Sequence, residues 1–301
     1  MDAALDTTKT RDRAPDVSPA LRCGPYTFDR SRPRVMGILN VTPDSFSDGG
    51  RYFDLQRALD HGRAMRADGA DIIDVGGEST RPGSREVSAD EELQRVLPVV
   101  QWLASESIPI SIDTSKPAVM RAAIAAGAAM VNDVRALRAH GAMEAVAPSD
   151  AGVCLMHMLG EPRTMQDAPR YVDVVGEVSD FLVERARACV EAGIVAERIV
   201  IDPGFGFGKT LAHNLALLHA MPRLASLGYP VLAGWSRKSS LAKITGRASD
   251  DRVAASVAAA LAAVARGACW VRVHDVRATV DALAVWRAAE GGVWPDETPS
   301  R

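Results

Sequence analysis

Three polar residues stand at the ends of short apolar runs. Asp113 follows "IPISI", Asn132 closes "AMVN" and Asp202 closes "IVID". One carboxylate at such a place can merely cap the next helix. Two carboxylates and an amide meeting at one mouth are a different matter. Together they offer acceptors and donors that complement each other. The set suits a flat heterocycle with amino, amide and ring N–H groups. Such a ligand would supply the partners that buried charges require.

A second group is cationic. "GWSRKSSL" (Gly234–Leu241) and "RVHDV" (Arg272–Val276) carry Arg237, Lys238, Arg272 and His274. Solvated basic residues are common on any surface. Three cations and a histidine at adjacent strand ends suit an anionic substrate or leaving group, and a positive rim is expected. "NVTPDSFSDGG" (Asn40–Gly50) reads as a mobile loop. Its Asn40 offers a hard oxygen of the kind Mg²⁺ prefers. "GGESTRPGS" (Gly76–Ser84) offers the hydroxyls of Ser79 and Thr80, with Arg81, to an anion. His157, among apolar residues in "LMHM", reads as a supporting histidine rather than a base. No nucleophile elbow and no His-rich metal spacing occurs.

"DPGFGFGKT" (202–210) looks like a nucleotide loop and fails as one. A P-loop needs four residues between its first glycine and Gly-Lys-Ser/Thr. Gly204 and Gly208 are separated by three, and Pro203 stands where the glycine should be. The stretch reads as a tight strand-to-helix turn around Asp202. Lys209 and Thr210 read as bystanders that begin the next helix.

The elements that must position these groups alternate along the chain. Eight short apolar runs are separated by helix-like stretches: Val35–Leu39, Asp71–Val75, Ile108–Ile112, Ala129–Asn132, Val153–His157, Ile199–Asp202, Val231–Trp235 and Trp270–His274. That alternation predicts parallel βαβ units, and eight of them close a (β/α)8 TIM barrel. An open sheet would spread the polar strand ends too far apart to meet. The α/β fold is expected as one domain over residues 21–290, with tails at 1–20 and 291–301. "LRCGPYTFDRSRPR" is expected to form a hairpin closing the barrel bottom.

Composition narrows the partners. Of 301 residues 47% are hydrophobic, and the formal net charge is −3. No basic run suggests nucleic acid. No apolar run is long enough to span a membrane, and the N-terminus lacks a secretory h-region. Cys23, Cys154, Cys189 and Cys269 match no zinc or redox spacing and read as buried reduced thiols, which fits a cytoplasmic location.

Taken together, "GILNVTPDSFSDGG", "DIIDVGGESTRPG", "SIDTSKPAVMRAA", "MVNDV", "LMHMLGEPRTMQ", "VIDPGFGFGKT", "GWSRKSSL" and "RVHDV" resemble the dihydropteroate synthases of folate biosynthesis. The resemblance runs from about Pro33 to the last helix. It implies a homodimeric (β/α)8 barrel that joins p-aminobenzoate to 6-hydroxymethyl-7,8-dihydropterin diphosphate and releases pyrophosphate. It also implies the site residues. The pterin pocket would be Asp113, Asn132, Asp202 and Lys238, walled by Met156 and Phe207. Asn40, Thr80, Arg81, Arg272 and His274 would meet the diphosphate, with Mg²⁺ at Asn40. Phe46, Pro82, Lys238 and Ser239 would form the p-aminobenzoate side, and Asp48 would close the first loop over the intermediate. Leu159 and Ala242 depart from the family pattern, where glutamine and glycine are common.

Two other readings compete. One is a barrel that moves a methyl group from a methyl-folate to a corrinoid. It would share the Asp/Asn pocket but lack the diphosphate loops and the "SRKS" lysine, which are present. The other is a non-catalytic paralogue, which should have lost Asn40, Thr80, Arg81 or Lys238; all four are retained.

Overall fold

The computed structural model describes residues 20–42, 50–79, 85–161, 164–249 and 251–291. Phe46, Asp48, Thr80, Arg81 and Pro82 lie outside the described residues, as do both expected tails apart from Ala20 and Gly291.

A hairpin comes first, β1 (Ala20–Cys23) against β2 (Tyr26–Asp29). Eight parallel strands follow: β3 (Arg34–Asn40), β4 (Ile72–Gly76), β5 (Ile110–Asp113), β6 (Met130–Asp133), β7 (Gly152–Met156), β8 (Ile199–Asp202), β9 (Leu232–Ala233) and β10 (Trp270–Val273). Neighbours in the chain are neighbours in the sheet from β3 to β8, and β10 lies between β9 and β3. A bridge from Ile201 to Val231 joins β8 to β9, so the ring closes. This is the expected (β/α)8 barrel. The run expected over Val231–Trp235 shortens to two residues, because the chain leaves the ladder for the turn that carries Lys238.

The helices between strands are α1 (Gly50–Ala67), α2 (Ala89–Ser105), α3 (Pro117–Ala125), α4 (Ala142–Val146), α5 (Val174–Glu191), α6 (Leu211–His219), α7 (Met221–Ala225), α8 (Ser239–Thr245), α9 (Val253–Val264) and α10 (Val276–Gly291). Where five of these helices hand over to a strand stands a glycine, Gly69, Gly127, Gly193, Gly228 or Gly267, with φ between 93° and 107°. Side chains rarely adopt that backbone, so glycine is the residue that fits.

The period of two along each strand sorts the chain into layers. One phase points outward. Val35, Ile73, Val75, Ile110, Ile112, Val131, Val153, Leu155, Ile199, Ile201, Val231, Val271 and Val273 pack with the helices in one large core. The other phase points into the barrel. Met36, Ile72, Met130, Cys154, Val200, Leu232 and Trp270 form its apolar floor. Leu21, Cys23 and Phe28 of the hairpin join that floor, with Phe28 edge-on to Trp270 at 5.1 Å, so the hairpin plugs the bottom as expected. Cys23, Cys154 and Cys189 are buried free thiols, while Cys269 is half-buried, because it precedes β10 at the rim of that floor.

Candidate active site

Two residues beyond the floor the inward phase turns polar on five of the eight strands, the other three presenting Ile38, Met156 and Gly234 at that level. Ile72 is followed by Asp74, Ser111 by Asp113, Met130 by Asn132, Cys154 by Met156, Val200 by Asp202, Leu232 by Gly234 and Trp270 by Arg272. The alternation that builds the floor thus raises one ring of site residues above it, at the C-terminal mouth where barrel enzymes carry their chemistry.

The ring is cross-linked. Arg272 donates from Nε to Asp74 Oδ2 at 2.6 Å and from Nη2 to Asp113 Oδ2 at 2.7 Å. Asn132 Nδ2 donates to the same Asp74 oxygen at 2.9 Å. Burial works against the charge on Arg272, but Asp74 and Asp113 overcome it and raise its pKa. Burial drives the Asp113 carboxyl up; Arg272 opposes this, and Asp74, Glu92 and Asp133 add to it. Asp74 was not among the expected site residues. It is fully buried, and among the described residues its Oδ1 has no partner. A carboxylate in the inward phase of "DIIDV" was the available signal.

Asp202 is buried across the ring, where its Oδ1 accepts from Gly204 N–H at 2.7 Å. Burial raises its pKa, and Lys238 and the Gly204 amide oppose that rise. Lys238 donates to the Phe205 carbonyl and lies 4.5 Å from the centre of the Phe207 ring. Burial pushes its ammonium down to about 8 against the pull of Asp202, with Arg272 lowering it further. Gly234 leaves the space between these groups open: a methyl there would sit 3.7 Å from Lys238 Nζ and 3.9 Å from Asp202 Oδ2. On the opposite side, a methyl at Gly76 would lie 3.7 Å from Asp113 Oδ2 and 3.8 Å from Asn40 Oδ1. Asn40 therefore shares the mouth with Asp113. Met156 packs with Val134, Met158 and Met165, with Phe207 against them, as an apolar wall.

The expected positive rim is largely neutralised. Arg237 pairs with Asp275, with its Nε 3.0 Å from Oδ2, and Arg272 is turned inward to its two carboxylates. His274 Nδ1 is 3.0 Å from Ser236 Oγ, and its backbone N–H donates to the same hydroxyl at 3.1 Å. Ser239 is exposed as the first residue of α8. Lys116 ties the base of the 76–88 loop by donating to Glu78 and to buried Glu92.

The glycine turn after Asp202 corrects one expectation. Thr210 does begin α6, as its N-cap in a reciprocal pair with His213. Lys209 is no bystander: its side chain runs back beneath the turn and is buried. Five successive carbonyls of the turn each meet a side-chain donor. Gly204 O and Phe207 O accept from Lys209 Nζ, both at 3.0 Å. Phe205 O accepts from Lys238, Gly206 O from Gln166 at 2.5 Å and Gly208 O from the Tyr171 hydroxyl at 2.9 Å. A phosphate loop aims amides inward; this turn aims carbonyls at ammonium and amide groups. His157, 2.9 Å from Lys209 Nζ through Nδ1, is a supporting residue as expected. Burial and the neighbouring Lys209 push it down to about 3, so it is a neutral acceptor.

The comparisons fit this geometry. The model of the pterin binding enzyme family matches residues 36–274. A dihydropteroate synthase of Neisseria meningitidis is 52% identical over 274 residues, covering 89% of this chain and 96% of that protein. The structure of Xanthomonas albilineans dihydropteroate synthase with 4-aminobenzoic acid superimposes with a TM-score of 0.86 at 55% identity, covering 92% of this chain and all of that one. The Burkholderia cenocepacia dihydropteroate synthase complexed with 7,8-dihydropteroate gives a TM-score of 0.84 at 53% identity, covering 92% and 98%. The chain belongs to the pterin-binding enzymes and, among them, to the dihydropteroate synthases.

Proposed function

We propose that this chain condenses 6-hydroxymethyl-7,8-dihydropterin diphosphate with p-aminobenzoate to give 7,8-dihydropteroate and pyrophosphate. The observation that carries this reading is the ring of Asp113, Asn132, Asp202 and Lys238 over an apolar floor. It matches a heterocycle rich in donors and acceptors, and the family membership points the same way.

In this reading the four ring residues hold the pterin, and Met156 and Phe207 contact its faces. Arg272, His274 and Asn40, with Thr80 and Arg81, meet the diphosphate. The bond from the pterin methylene to the diphosphate oxygen breaks, and its electron pair leaves with the diphosphate. Cations at the mouth stabilise that leaving charge. The methylene carbon becomes cation-like, with charge spread into the pterin ring, where Asp113 and Asp202 offset it. The neutral amine of p-aminobenzoate, held by Phe46, Pro82, Lys238 and Ser239, attacks with its lone pair and then gives up a proton. No strong base is required. Asp48 closes the first loop and excludes water from the reactive carbon.

The residues present fit a Mg²⁺ ion that arrives with the diphosphate. Asn40 offers one hard oxygen at the mouth. Among the described residues no cluster of three acidic, histidine or cysteine side chains could cage a metal. Mg²⁺ is commonly bound through few protein ligands plus substrate phosphates. When bound it would neutralise charge on the leaving group.

We further read the enzyme as a cytoplasmic homodimer that takes small molecules and neither nucleic acid nor membrane. Free thiols fit a reducing compartment, and no helix among the described residues is long and apolar enough to cross a membrane. Sulfonamides, as mimics of p-aminobenzoate, should inhibit it. The test is to incubate the pure protein with pterin diphosphate, Mg²⁺ and p-aminobenzoate and to measure pyrophosphate and dihydropteroate. Release no greater than in the enzyme-free control would sink the reading.

A further inference from the structure

We propose that Lys209 is a positioning residue for pterin recognition, its ammonium gathering the carbonyls of the Gly204–Gly208 turn and so fixing Asp202, Phe207 and Lys238. The inference rests on the reading of the ring as the pterin pocket.

Lys209 Nζ touches three carbonyl oxygens, of Gly204, Phe207 and His157 at 3.0, 3.0 and 3.3 Å, and the His157 ring nitrogen at 2.9 Å. These acceptors come from both ends of the turn and from the residue that follows β7. Two groups of the site depend on the same turn. Asp202 accepts from its Gly204 amide, and Lys238 is anchored on its Phe205 carbonyl above the Phe207 ring. The turn is packed tightly against the chain after β7, since a methyl at Gly204 would come within 1.9 Å of the His157 carbonyl.

Converging carbonyl dipoles repel one another unless a cation or donor lies among them. Without the ammonium the turn must open. Opening moves the Phe207 wall and releases Lys238 from its anchor. The fold alone gives no reason for a charge here. A methionine fills a similar volume without the cost of burying an ammonium. Of the residues assigned to the p-aminobenzoate side, Lys238 rests on this turn through the Phe205 carbonyl, whereas Ser239 on α8 does not.

The test is Lys209→Met in the full chain, with steady-state kinetics, calorimetry using the pterin diphosphate, and thermal unfolding. The KM and Kd for the pterin substrate should rise about tenfold or more. The KM for p-aminobenzoate at saturating pterin, which shares only Lys238 with this turn, should rise less, by about threefold at most, and the melting temperature should stay within a few degrees. An unchanged pterin constant would overturn the proposal. So would an equal rise in both KM values together with a drop in melting temperature, which marks a structural role only. Should Lys209→Met fail to fold, His157→Phe keeps the lysine and removes its ring acceptor. It should raise the pterin KM selectively by about threefold, and no change there overturns the proposal. A wild-type protein that does not bind the pterin at all overturns the pocket reading and this inference together.

Discussion

Arg272 Nη2 donates to Asp113 Oδ2 across 2.7 Å, so the cation at the end of the last strand is held by a carboxylate of the third barrel strand. The cation and carboxylates of the mouth are therefore already paired with one another. In the proposed reading, a heterocycle entering the ring would compete with Arg272 for Asp113, and its donors would replace the guanidinium there.

If Asp113 is the contact that decides this competition, Asp113→Ala should abolish pterin binding. Titration calorimetry with the pterin diphosphate should show no saturable heat. A dissociation constant equal to that of the wild type would refute the assigned role.

Asp74 carries two of the ring's donors, from Arg272 and Asn132. Breaking a buried pair by removing one partner costs about 3–5 kcal/mol. Asp74→Ala should lose about that much stability in urea unfolding and should weaken pterin binding through Arg272 and Asn132. A loss under about 1 kcal/mol would show that the ring does not depend on it.

Lys238 gives a pH signature. Its folded pKa, about 8, lies below the ordinary 10.5. The charged, buried ammonium therefore costs stability below pH 8, and the cost is relieved as pH rises from about 8 towards 10.5, where the unfolded chain binds the proton that the folded chain has lost. Activity should move the other way. The kcat/KM for the pterin substrate should fall above pH about 8 as the charge disappears. Lys238→Ala should lack this alkaline limb. A limb that persists near pH 8 in that variant would refute the assignment to Lys238, since Lys209, which burial pushes down to about 7, would give a fall nearer pH 7.

The thiols should divide one against three. Burial pushes Cys23 up to about 12 and Cys189 up to about 11, and raises Cys154 well above its ordinary value. Iodoacetamide should modify Cys269 in the native protein and all four cysteines after denaturation, as mass spectrometry would show. Rapid native labelling of Cys154 would mean that the barrel floor opens.

Much of this was legible in the chain because a barrel repeats one rule. A short apolar run ending in a polar residue gives a strand whose last inward side chain faces the mouth, and Asp113, Asn132 and Asp202 were found that way. Asp74 escaped because it precedes the end of its run, where only the phase of the alternation reveals it. The rim was misjudged because pairing depends on residues far apart in sequence: Arg237 and Asp275 are 38 residues apart, and Arg272 and Asp113 are 159 apart. Lys209 was misread because its neighbours in sequence suggest a helix start, whereas its side chain turns back under the loop it follows.

The pairing of β3 with β10 has a consequence for synthesis. Residues near 34 wait for residues near 270 before their ladder is complete, and Asp74 waits 198 positions for the guanidinium of Arg272. A nascent chain that has not yet released its tenth strand from the ribosome exposes two strand edges, and its Asp74 has no counter-ion. Contacts so distant in sequence form late. Seam and pocket are thus completed by the same strand, and a prematurely terminated product would lack both.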